Sequence, residues 1–125
     1  MCLIIEKSFY SMKELHEFAS KPLIAKKDIK VYKVLGTNNI SPYRKMLYEK
    51  NFEYTEHQPF TYYCSDELGA HALYLRQGLY SFTRKSTAKN SLRFDRKIVE
   101  MIIPKGAQYF KGVGSTIVSN KLIWY

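Results

Sequence analysis

The chain has 125 residues, 46% hydrophobic and 25% charged, with 20 Lys and Arg against 11 Asp and Glu. That length sets one domain with core enough to fold without staples, and two cysteines, Cys2 and Cys64, exclude a disulfide framework and a cysteine-rich zinc site. The formal charge of +9 directs attention to anionic partners, and the lack of any long apolar run argues against a signal peptide or membrane span, so a cytoplasmic protein with no membrane partner is expected.

In chain order, the opening Met1–Ile5 reads as a strand. Ser11-Met-Lys-Glu14 is a capping box and starts a helix that runs to about Ser20, ahead of Pro22. Met12, Leu15, Phe18 and Ala19 give that helix one apolar face. Ile29–Leu35, rich in β-branched and aromatic residues, reads as a central strand, and Gly36–Asn39 as a turn. Met46–Tyr48 and Phe52–Tyr54 make a hairpin candidate around Glu49–Asn51. A strand is expected over Phe60–Cys64. Asp66–Gln77 fits a helix at Leu68, Ala72 and Leu75, against Gly69.

Gly78–Phe82 reads as a strand, followed by a helix from Arg84 to about Phe94 that Thr83 caps. Ala88 and Leu92 form its inner side. Lys97–Ile103 looks like a buried strand, and Pro104-Lys-Gly106 a turn. Ala107–Phe110 is extended, Gly112–Thr116 a flexible loop, and Ile117–Tyr125 a closing strand beside the one before it. The sum is an α+β domain: a mostly antiparallel, curved sheet with two or three helices and no βαβ rhythm.

Charge is segregated along the chain. Residues 21–50 hold eight Lys/Arg against two acids, residues 84–97 hold six against Asp95, and residues 51–75 hold four acids and no Lys or Arg. Lys85, Lys89, Arg93 and Lys97 recur every four residues, with Arg84 and Arg96 beside them. Stacked like charges cost a helix a few tenths of a kcal/mol per pair, which points mildly to an anionic partner. The phosphate-binding candidates are therefore Arg84, Lys85, Lys89 and Arg93, with Arg44 and Lys45 as a second basic edge. Tyr80, Phe82 and Tyr109 are the ring-stacking candidates among 11 tyrosines and seven phenylalanines, most of which suit sheet faces.

Gly78-Leu-Tyr-Ser-Phe82, Ile102-Ile-Pro-Lys-Gly-Ala107 and Tyr109, with Val31-Tyr-Lys-Val-Leu35 and Ser41-Pro-Tyr43 upstream, resemble small proteins of phages and prophages over residues 21–125. The resemblance brings no catalytic residue set. It implies a setting in which a small phage protein acts on a host molecule, including a host nucleotide immune signal. The order of a Tyr-bearing first strand, a Gly-aromatic-Ser segment and an Ile-Pro-Lys-Gly strand end also loosely resembles the ADP-ribosyltransferase fold. Those enzymes need a late acidic residue, and after Asp95 the only acid is Glu100, inside an apolar strand.

Other chemistry is weakly signalled. Cys64 and His71 read as a buried thiol and a surface imidazole. Glu53, Glu56 and His57 read as a solvated acidic edge. Lys111–Thr116 is glycine-rich but lacks the P-loop pattern. No catalytic residue, metal site or cofactor is expected. Three function classes remain: a non-enzymatic protein that sequesters an anionic nucleotide, an inhibitor docking on a host nucleic-acid enzyme or its nucleic acid, and an ADP-ribosyltransferase-like enzyme. Small binding domains often form pockets across a two-fold axis, so a homodimer is the assembly to look for.

Overall fold

The computed structural model describes residues 3–9, 11–40, 47–56, 62–67, 70–75, 78–90 and 96–125, with side chains for these except 3–8, 62–67, 70–72 and 113. Eleven strands and two α-helices lie within those residues. The strands are β1 (Leu3–Phe9), β2 (Leu23–Ile24), β3 (Ile29–Leu35), β4 (Phe52–Thr55), β5 (Tyr62–Glu67), β6 (Ala70–Leu75), β7 (Leu79–Phe82), β8 (Lys97–Ile103), β9 (Gln108–Lys111), β10 (Thr116–Ser119) and β11 (Lys121–Trp124). The helices are α1 (Met12–Ala19) and α2 (Lys85–Lys89).

Eight strands form one sheet in the order β2-β9-β10-β7-β3-β8-β11-β4, and β1-β6-β5 form a smaller one. Every pairing is antiparallel. The expected antiparallel sheet with two helices is therefore present, and β3 is central as its composition predicted.

Chain connectivity forces the large sheet to curl. Only Asn120 separates β10 from β11, yet three strands lie between them in the sheet. Flat, they would stand roughly 19 Å apart, while two residue steps reach about 7 Å. Asn120 fastens the corner. Its N–H donates to the Gln108 carbonyl at 3.0 Å, its Oδ1 accepts from the Gln108 N–H at 2.9 Å, and its carbonyl accepts from the Glu56 N–H at 2.8 Å.

The period-two alternation splits the apolar residues between two cores. Val31, Leu35, Leu79, Met101, Ile103, Ile117 and Leu122 line the inner side of the curl, joined by Ala25, Tyr48 and Ala107. Phe110, Val118 and Tyr80 point the other way and meet Phe9, Leu15, Ala19, Leu73 and Leu75 from β1, α1 and β6. The small sheet and α1 thus cover the outer side of β9, β10 and β7. Ser11 caps α1 as expected, its Oγ accepting from the Glu14 N–H at 3.2 Å, and Leu15 and Ala19 are the buried positions of the helix.

Several sequence expectations need correction. The hairpin over residues 46–54 does not form: β4 pairs with β11, and Leu47 makes an isolated bridge to Ile40. Within the ambiguous segment Ala70–Leu75 is strand β6, paired antiparallel with β5, and Leu73 and Leu75 share a buried face at spacing two rather than at helical spacing. The closing strand breaks at Asn120 into β10 and β11, which pair with different neighbours. Gly112–Thr116 is an ordered turn in which Gly112 N–H donates to the Thr116 carbonyl at 2.9 Å and Gly114 takes a positive φ of 67°.

Candidate functional site

The candidate site lies on the outer side of β7, β3 and β8, the strands on which α2 also packs. On β3, Val31, Lys33 and Leu35 point inward, so Lys30, Tyr32 and Val34 point outward. Tyr32 stands opposite Phe82 on β7 and opposite Glu100 on β8. Residues opposite one another in an antiparallel pair point to the same side. Phe82, Tyr32 and Glu100 therefore form one row across three adjacent strands, with Thr116 beyond Phe82. Phe82 and Tyr32 are half-buried, and neither ring stacks on another among the described residues.

The expectation that Glu100 sits inside a buried strand is overturned. Strand β8 buries Met101 and Ile103 while Lys97 and Glu100 face solvent. The Glu100 side chain is 45% exposed, its Oε1 lies 3.5 Å from Lys30 Nζ, and it accepts from the Tyr125 hydroxyl at 3.4 Å. An exposed ion pair of this kind contributes at most about 1 kcal/mol, so the carboxylate is free to exchange partners.

The basic helix is shorter than its sequence suggests. Arg84, in extended geometry, is the N-cap, and Asn90 closes the helix after Lys89. Thr83 is not the cap; its hydroxyl and N–H both donate to the Ser115 carbonyl, at 3.2 and 2.8 Å. α2 packs on β3, β7 and β8, with Ala88 fully buried as expected. Arg84, Lys85 and Lys89 are exposed. Lys97, the last member of the four-residue spacing, opens strand β8 and lies 5.7 Å over the Trp124 ring. Arg93, Arg44, Lys45 and Leu92 lie outside the described residues.

The three ring candidates part company. Phe82 and Tyr80 sit on the outer side, but Tyr80 packs into the second core and its hydroxyl donates to the Leu75 carbonyl at 2.8 Å. Tyr109, opposite Ser119, points inward and packs on the first core. The fold thus brings Phe82 together with Arg84 and Lys85, and leaves Tyr109 on the opposite side of the sheet. Tyr32 takes the place beside Phe82. Its signal was present in the alternation Lys30-Tyr32-Val34, but only the pairing register identifies its neighbour.

On the inner side, Lys33 is only 8% exposed; its ammonium donates to the Tyr80 carbonyl and lies 5.1 Å over the Tyr48 ring. No group of three or more His, Cys, Asp or Glu placed to hold a metal occurs among the described residues. Within them, too, no helix is long and apolar enough to cross a membrane.

The chain matches no family model, no curated protein and no solved structure. The site stands on its own chemistry, which is two half-buried rings on adjacent strands, a solvent-facing carboxylate on the next strand and the exposed cations of α2.

Proposed function

We propose that the protein binds a phosphate-bearing nucleotide where β7 runs into α2, without chemistry, and so sequesters it. Arg84, Lys85 and Lys89 meet the phosphate, and Phe82 with Tyr32 offers the ring surface. The observation that supports the reading is the junction of β7 and α2: an unstacked half-buried ring is followed within two residues by exposed cations. Cations neutralise phosphate oxygens and aromatic faces stack on bases, so each half of a nucleotide has its complement there. A nucleotide signal in a phage–host contest is the setting this reading favours.

The experiment is a thermal-shift screen of the full chain against linear and cyclic nucleotides, nicotinamide dinucleotides and short oligonucleotides. A ligand at a hundred times its Kd stabilises by about 2.7 kcal/mol. Stabilisation by mononucleotides supports sequestration. Indifference to mononucleotides, with steeply salt-dependent binding to long polyanions, supports the inhibitor that docks on nucleic acid or its enzyme.

One observation favours a second reading, ADP-ribosyl transfer. The three segments that carry that resemblance lie on the neighbouring central strands β7, β3 and β8, and Glu100 faces solvent beside them. Release of nicotinamide from a nicotinamide dinucleotide, lost in Glu100→Gln, is the result this reading requires.

A further inference from the structure

We infer that copies of this chain associate head to tail, the β2 edge of one joining the β4 edge of the next. The inference goes beyond the nucleotide reading and does not depend on it. Among the described residues, β2 and β4 are the end strands of the large sheet. They also carry the most exposed large apolar side chains of its strands: Leu23 and Ile24, which make up β2, are each 52% exposed, and Phe52, which opens β4, is 54% exposed. An end strand with apolar side chains is a template for another strand. On β2, the Ala25 N–H donates to the Ala107 carbonyl at 2.9 Å, and the Ala25 carbonyl accepts from the Gly106 N–H at 2.8 Å. Backbone groups alternate in direction along a strand, so those of Ile24 face the open edge.

The charges decide which edges meet. Residues 21–27 hold Lys21, Lys26 and Lys27, all exposed, and no acid. Residues 49–56 hold Glu49, Glu53 and Glu56 against Lys50. Lys21 shares a surface cleft with Glu14 and Glu17 of α1, which leaves Lys26 and Lys27 as the cations for a partner. The next acid, Asp28, is turned to the Lys105 N–H at 2.9 Å. Two β2 edges would set lysines against lysines, and two β4 edges glutamates against glutamates. β2 against β4 pairs opposite charges, so repulsion disfavours two-fold dimers through either edge. Side-chain direction agrees. Leu23 stands opposite Tyr109, and Phe52 opposite Trp124, and both of those rings pack on the first core. A join that continues this inner side brings Leu23 to Phe52.

Within one molecule the two edges stay apart. Ile24 lies opposite Gln108, Gln108 is bonded to Asn120, and the Asn120 carbonyl accepts from the Glu56 N–H. β2 and the end of β4 therefore flank this corner from its two sides. Each added copy leaves one free edge of each kind, which is the property of a head-to-tail contact. The curl of the sheet sets whether successive copies close into a ring or run on. β2 has two residues, and Pro22 before it has no N–H, so the backbone bonds are few and the association is weak.

The test is sedimentation velocity of the full chain from micromolar to near-millimolar concentration. The wild type is expected to sediment faster as concentration rises. Glu53→Lys, and Lys26→Glu with Lys27→Glu, are each expected to weaken association at least about tenfold. The second does so although it lowers the net positive charge and with it the overall repulsion. A chain carrying all three changes sets an acidic β2 against a basic β4 and is expected to regain association. These side chains are exposed, and circular dichroism checks the fold of each variant. A wild type that stays monomeric throughout overturns the inference. So does association that neither variant weakens, or that the combined variant fails to restore. Nucleotide binding is read separately by the thermal-shift screen, so the two accounts fail independently.

Discussion

Ser81 sits on β7 with its hydroxyl buried and without a hydrogen-bond partner among the described residues, an uncommon state in a folded interior. A buried hydroxyl left unpaired costs about 1–3 kcal/mol of desolvation. Ser81→Ala is therefore expected to leave stability unchanged or to raise it by about 1 kcal/mol in urea denaturation. A loss larger than that would mean the hydroxyl has a partner in solution. Alternation along a strand was legible: Ser81 is inward because Phe82 is outward. That no neighbour meets the hydroxyl depends on pairing across β3 and β10, which a single segment does not encode. Tyr109 teaches the same lesson, since its ring type suggested binding and its register turned it inward.

At the scale of elements, local chemistry predicted best where it was self-contained. The Ser11–Glu14 cap needs only four residues, and α1 formed where it was read. Ser11→Ala is expected to cost about 1 kcal/mol, read as a fall in the urea midpoint at constant slope. α2 was overread because its basic spacing is helical while its residues are not strong helix formers. Ser86, Thr87 and Asn90 favour caps and turns, and no acid offsets the stacked lysines. The chain then leaves the sheet at Arg84 and returns to it by Lys97, so Lys97 serves a strand. Lys85 and Lys89 are exposed, so Lys85→Glu with Lys89→Glu is expected to hold stability within about 0.5 kcal/mol. The same double variant is expected to weaken nucleotide affinity at least about tenfold, measured by titration calorimetry. Unchanged affinity would remove α2 from the site.

Over the whole molecule, the long-range pairings decide the architecture. Phe52–Thr55 carries the signature of a strand but not the information that β11, about 70 positions on, is its partner. Asn120 gives no sequence signal of a corner, yet three hydrogen bonds there join β9, the residue after β4 and the β10–β11 step. The first core that results depends on residues from β3, β7, β8, β10 and β11 together. Leu35→Ala and Leu122→Ala, both fully buried, are each expected to cost about 2–5 kcal/mol, with loss of a cooperative urea transition if the curl opens. The charge segregation seen along the chain acquires a spatial meaning only after folding, when the exposed cations of α2 stand beside an aromatic row rather than along a long helix.

The most direct test is a thermal-shift comparison of the wild-type chain and the Lys85→Glu/Lys89→Glu variant against a panel of mononucleotides and a long single-stranded oligonucleotide. A nucleotide-binding face predicts that at least one mononucleotide raises the melting temperature of the wild type and that the variant loses the response. A wild type that ignores every mononucleotide, or a variant that responds as the wild type does, would contradict it.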